Sequence, residues 1–142
     1  MSQVEVKEPA STSVRMRVSD LQVSLAGSGE KIIKGISFEL QAGKIFALVG
    51  ESGSGKSVTS MAAMRLLPSA LQITAGSVEA IGQDLFALPE SRMREVRGRK
   101  VAMIFQNAMT ALNPVQTVGD QVAETLRLHT PLRRAKLRQR VV

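Results

Sequence analysis

Apolar residues alternate with polar ones from Val14 through Met16 and Val18, and again at Leu21, Val23 and Leu25, the pattern of half-buried strands. The stretch Ala26–Lys31 (AGSGEK) reads as a turn, Ile36–Leu40 as a short second strand, and Gln41–Lys44 as a Gly-containing turn. Ile45–Val49 (IFALV) is a continuous apolar run bounded by glycines. It predicts a strand buried on both faces, as in a parallel sheet. A helix is expected from about Lys56 to Leu67, where Val58, Met61, Ala62 and Leu66 recur at helical spacing and Pro68 follows the end. Gly76–Ile81 reads as another strand. Pro89 opens a short basic helix to about Arg97, with Gly98 as its stop. Val101–Phe105 (VAMIF) predicts a second buried strand. After a loop over 106–116, a helix is expected near Val118–His129, with Thr117 and Asp120 resembling a capping box. Strand and helix alternate after the first strands, which is an α/β plan.

Composition narrows the picture in a few places. With 44% apolar residues in 142, the chain is one ordinary domain or a piece of a larger one, with enough material for a packed core. Tryptophan and tyrosine are absent, so aliphatic residues and methionines must build that core. The net charge of +7 is uneven: Arg133, Arg134, Lys136, Arg138 and Arg140 crowd the last residues with no acid among them. A second basic cluster runs from Arg92 to Lys100 around the single acid Glu95. Such runs suit solvated helix faces or anionic partners. Neither cluster is interleaved with aromatics of the kind that stack on bases, so no nucleic acid partner is expected. The absence of cysteine excludes disulfides and thiolate metal sites. Residues 1–13 are polar and small, read as a disordered lead-in, and contain neither a secretory signal nor, like the rest of the chain, an apolar run long enough to span a bilayer.

Between the first apolar run and the first long helix, residues 50–57 read GESGSGKS, the pattern G-x-x-x-x-G-K-[ST]. Gly50, Gly53 and Gly55 allow positive φ and close approach of the backbone to a phosphate. The successive N–H groups of Glu51, Ser52, Gly53 and Ser54 can then turn inward as an anion cradle, backed by the amides of Lys56, Ser57 and Val58 at the helix mouth. Lys56 places a charge on the terminal phosphates. Ser57 offers a hydroxyl to magnesium, which takes few protein ligands. The implied ligand is a purine nucleoside triphosphate, ATP, with Mg2+. A flexible Gly/Ser linker would lack the flanking apolar run and helix.

Three stretches together, LVGESGSGKSVT (48–59), MRLLP (64–68) and MIFQNAMTALNPVQTVGDQV (103–122), resemble the ATP-binding subunits of ABC transporters, specifically the bacterial dipeptide, oligopeptide and nickel importer type. The resemblance implies a P-loop NTPase fold of the ABC nucleotide-binding type, with an antiparallel β subdomain before the P-loop strand. It assigns residues 14–142 to the N-terminal portion of that domain. It also implies that Gln106 touches the metal and the attacking water, so Gln106 and Lys56 are the candidate catalytic residues and Ser57 and Gln106 the candidate metal ligands. A neutral amide suits the first role, since its oxygen can ligate a cation while its nitrogen orients water. The loop Asn107–Pro114 would meet transmembrane permease subunits, and a second ATP-binding subunit would complete a head-to-tail pair at the cytoplasmic face of the membrane.

The family pattern has proline and serine where Ala108 and Ala111 stand, and an aromatic that stacks on adenine where Leu25 stands. Purine contact would then rest on apolar groups such as Ile33. Residues 107–142 contain no LSGGQ-like signature, no apolar strand ending in Asp-Glu and no switch histidine; His129 reads as a helix-end residue. Without the general-base Glu, turnover by these residues alone is expected to be very slow, and a longer subunit is expected to supply it. The alternatives are a P-loop kinase or GTPase, which would prefer other nucleotides or need an acceptor site, and a nucleic-acid-binding module using Arg133, Arg134 and Arg138.

Overall fold

The computed structural model describes residues 14–106 and 112–141. They fall into two compact units that divide between Leu88 and Pro89. The expected lead-in over 1–13, and Asn107 to Ala111 of the expected coupling loop, lie outside the described residues.

The first unit is built on one antiparallel sheet of four strands in the order β2-β1-β3-β4: β1 Val14–Leu25, β2 Lys31–Gln41, β3 Leu71–Ala80 and β4 Gln83–Asp84. The two long ladders, to β2 and to β3, both lean on β1, whose Val18, Leu21 and Val23 are buried. Their apolar side chains each contribute about 1.5–3 kcal/mol of burial. The alternation of β1 slips phase between Val18 and Leu21 because a bulge lies there. Asp20 and Leu21 together oppose Gly76 alone on β3, and Asp20 sits at φ 43°. The bulged Asp20 N–H is not wasted, since it donates to Ser37 Oγ at 2.9 Å. Only glycine fits opposite: a Cβ at Gly76 would stand 2.5 Å from the Asp20 carbonyl oxygen and 2.6 Å from Leu21 Cα. On the exposed face Arg17 bridges the three strands, donating to Glu39 at 2.6 Å and reaching Glu79 at 3.7 Å, and its hydrogen bond with Glu39 raises its pKa.

Helix α1, Lys56–Ala63, lies near β1 and buries Thr59, Ala62 and Ala63. It ends four residues before the expected Leu67. Met64 caps it, and Arg65 turns left-handed at φ 53°. The Arg65 and Leu66 N–H groups then donate to the Ala62 (2.9 Å) and Met61 (2.8 Å) carbonyls, the double bond pattern of a Schellman stop. The Arg65 guanidinium crosses to the carbonyls of Leu88 (2.6 Å) and Leu85 (3.3 Å), tying the end of α1 to the segment after β4.

Two expected strands did not form. Ile45–Val49 carries no ladder, with Ile45 fully exposed and Val49 85% exposed. Its anchor is Phe46, whose ring stacks on Phe38 of β2 at 4.8 Å. Val101–Phe105 has a single bridge, Arg97 with Val101, and Ile104 is 96% exposed. A doubly buried strand needs neighbours on both edges and cover on both faces, and among the described residues nothing supplies them. Conversely, β2 and β3 each begin five residues earlier than the sequence pattern suggests.

Among its described residues the second unit holds three helices: α2 Glu90–Val96, α3 Val118–His129 and α4 Arg134–Val141. Met93, Ala123 and Leu137 are its buried apolar residues. Gly98 ends α2 as expected, and His129 Nε2 lies against it, where a Cβ would be only 2.6 Å away. Thr117 caps α3, accepting from the Asp120 N–H at 3.1 Å and donating to Asp120 Oδ2 at 2.7 Å. The shorter Asp meets the cap's hydroxyl rather than reaching its backbone N–H as a longer acid would. Leu137 of the basic tail is buried and Val141 half-buried, and α4 packs beside α3, but its bases are spread around the helix instead of gathered opposite an apolar face, so the tail is a helix without a distinct amphipathic stripe. No described helix is long and apolar enough to cross a membrane.

Candidate nucleotide-binding site

The GESGSGKS loop forms the entrance to α1. Gly55 is the N-cap residue at φ 90°, ψ 4°, and no side chain caps the helix, so its first N–H groups face outward. Gly53 is left-handed as well, at φ 82°. The loop closes on itself through the Ser54 N–H, which donates to the Glu51 carbonyl at 3.2 Å. Close approach explains the other glycines. A Cβ on Gly50 would meet Ser54 Oγ at 2.7 Å, and one on Gly55 would overlap Ile33 Cδ1.

Lys56 is drawn back over the loop. Its ammonium donates to the Glu51 carbonyl (2.6 Å), the Gly50 carbonyl (2.8 Å) and Ser54 Oγ (3.1 Å). Glu51, Ser52, Gly53 and Ser54 are exposed, as is Ser57 in the first turn of α1, while Val58 is half-buried along the helix. Ile33 is 6% exposed, packs against Gly55 and lines the same cavity as Lys56. Leu25 ends β1, paired with Leu71, and is half-buried. One residue the sequence reading passed over also shapes the site. Buried Thr59 donates through Oγ1 to the Gly55 carbonyl at 3.0 Å, alongside its own N–H at 2.8 Å. Its only signal in the sequence is a threonine two positions beyond the motif's serine. A cavity of about 270 Å3 opens between β2, Leu48, Val49 and the start of α1, with Lys56 and Thr59 in its wall.

This geometry fits a triphosphate. The loop offers glycines placed where a Cβ would block approach, outward amides at a helix mouth, one ammonium and a serine hydroxyl. Gln106 belongs to the second unit, where it is exposed. Of the expected coupling loop, Leu112 to Pro114 are described and exposed.

Comparisons with known proteins agree with these features. The ABC transporter family model matches residues 33–141. The chain is 43% identical over 130 residues to the dipeptide transport ATP-binding protein of Bacillus subtilis, covering 89% of this chain and 39% of that protein. It is 42% identical over 118 residues to the oligopeptide transport ATP-binding protein of Mycobacterium tuberculosis, covering 82% of this chain and 19% of that one. It therefore spans well under half the length of these curated relatives. In fold it is similar to the solved structure of a bacterial Atm1-family ABC exporter with ATP bound, at TM-score 0.53 and 23% identity over 87% of this chain and 20% of that chain. The β subdomain, the P-loop at the mouth of α1 and the family match lead to one assignment: the chain belongs to the ABC transporter family, as an ABC-type nucleotide-binding fold.

Proposed function

We propose that this chain is part of the ATP-binding subunit of an ABC importer, coupling ATP hydrolysis to uptake of peptides or similar small solutes. The observation that carries the reading is the self-closed P-loop, with Lys56 folded over it and the amide end of α1 behind it. The peptide assignment draws on the names of the relatives, which are dipeptide and oligopeptide transport ATP-binding proteins.

In this reading residues 14–142 are a portion of an ABC-type ATP-binding domain. The amides of Glu51 to Val58 hold the phosphates, Lys56 neutralises their terminal charge, and Ser57 and Gln106 are the protein's ligands for Mg2+. Mg2+, held there, would supply positive charge to offset the charge on the phosphates. Gln106 orients the attacking water. Permease subunits dock on Asn107–Pro114, and a second ATP-binding subunit, the same or a paralogue, pairs with this one at the cytoplasmic face of the membrane. With Leu25 in place of an aromatic, purine contact rests on apolar groups such as Ile33 in the cavity wall, and selection of ATP over GTP is expected to be modest.

Calorimetric titration with Mg-ATP tests the assignment. Lys56→Ala removes a charge-assisted bond, about 1.5–3 kcal/mol, so ATP should bind about tenfold to a hundredfold more weakly. Unchanged affinity would refute the site. A strong preference for GTP in the parent chain would favour a GTPase instead.

A further inference from the structure

The loop before α3 is held by one side chain on two of its residues. Gln121 accepts a hydrogen bond from the Asn113 N–H through Oε1 (2.9 Å) and donates through Nε2 to the carbonyls of Asn113 (3.0 Å) and Gln116 (3.1 Å). A carboxamide that satisfies both backbone groups of one residue acts as a strand neighbour would. Asn113 adds its own turn, with Oδ1 accepting from the Val115 N–H at 3.1 Å and its carbonyl from the Gln116 N–H at 3.2 Å. Apolar packing does little here, since Leu112 is 50% and Val115 87% exposed. Hydrogen bonds to Gln121 therefore set the path of this loop, and with it the direction in which those two side chains point outward.

We propose that Gln121 is a positioning residue: it fixes the Asn113–Gln116 end of the loop so that Leu112 and Val115 meet an apolar segment of the membrane-embedded partner. The inference rests on the proposed importer function, which assigns Asn107–Pro114 to that contact, and extends the contact by one residue to Val115. Gln121 touches neither nucleotide nor metal in that reading and acts through the loop. It belongs to the first turns of a helix whose cap, Thr117, is independent of it.

The test uses the subunit assembled with its membrane partner and two variants, Gln121→Ala and Gln121→Glu. Glutamate keeps an acceptor for the Asn113 N–H and has no donor for the two carbonyls. In Gln121→Ala the Asn113 amide should exchange with solvent at least about tenfold faster, while the Asp120 amide, bonded to Thr117, keeps its protection and reports that α3 is intact. Gln121→Glu should fall between. ATP affinity should stay within about twofold in both, while solute uptake falls about tenfold in the alanine variant and less in the glutamate one. Unaltered exchange at Asn113 would overturn the clamp. Faster exchange with full uptake, or uptake lost only in step with ATP affinity, would overturn the positioning role. A parent protein that binds ATP but never associates with a membrane partner strikes the importer function itself and removes this role with it. Failure confined to the variants strikes this inference alone.

Discussion

Substituting Gly55 by alanine separates two costs that meet at one atom. The first is conformational: at φ 90° and ψ 4° an L-residue stands in the left-handed region, costing about 1–2 kcal/mol. The second is steric, because the new methyl would overlap Ile33 Cδ1, while the Ile32 carbonyl oxygen at 3.9 Å is an ordinary neighbour. The end of an isoleucine can swing aside, but Ile33 is only 6% exposed and must leave its rotamer to do so, at about 0.5–1.5 kcal/mol. Together the chain should lose about 1.5–3.5 kcal/mol of stability. Ile33→Val deletes the offending Cδ1 and by itself costs about 0.5–1.5 kcal/mol. The double variant should be less damaged than the sum of the singles by about 0.5–1.5 kcal/mol, the steric part alone, since valine does nothing for the φ angle. Denaturant unfolding of the four proteins measures that coupling, and ATP titration of the same four should show affinity recovering partly in the double. Strict additivity, or a double variant as stable as Ile33→Val, would refute the division into two costs.

Other substitutions probe the frame. Arg65→Ala keeps the left-handed strain and loses the guanidinium bonds to Leu85 and Leu88, so it should destabilise by about 2–4 kcal/mol in urea unfolding, whereas Arg65→Gly, which relieves the strain, should be milder by about 1 kcal/mol. Equal losses would show that the φ angle carries no cost. Thr117→Ala removes the cap of α3 and should cost about 1 kcal/mol, read as fraying of its first turn by amide exchange at Asp120. The exposed Ile45, Val49 and Ile104 each forgo about 1.5–3 kcal/mol of burial, so this chain alone should bind a hydrophobic dye and self-associate, and lysine at Ile45 and Ile104 should reduce both. A monomer that binds no dye would contradict this exposure.

What could be read in the sequence was what the chain decides locally. The phosphate loop, the stop at Gly98 and the Thr117 cap each depend on a few adjacent residues, and each stands where the pattern put it. Errors came where remote partners decide. IFALV and VAMIF have the composition of buried strands, yet a strand exists only when another backbone pairs with it. Gly76 looked like the start of a strand because glycine usually punctuates one. It lies in the middle of β3, where the bulge at Asp20 leaves no space for a side chain, so Leu71 to Ala75 were missed. The Gln121 clamp left no trace in periodicity, since it depends on one amide reaching back eight residues.

The Lys56 ammonium has three N–H bonds, and all three are engaged within the loop. An arriving phosphate oxygen therefore exchanges with a resident acceptor instead of capturing an idle cation. The contact to yield first is the longest, to Ser54 Oγ, a hydroxyl and so a weaker acceptor than the two carbonyls. Once released, that hydroxyl can turn its own hydrogen toward the newcomer. Recognition and side-chain rearrangement would then be a single event, and the lysine would never have to find its place from solvent.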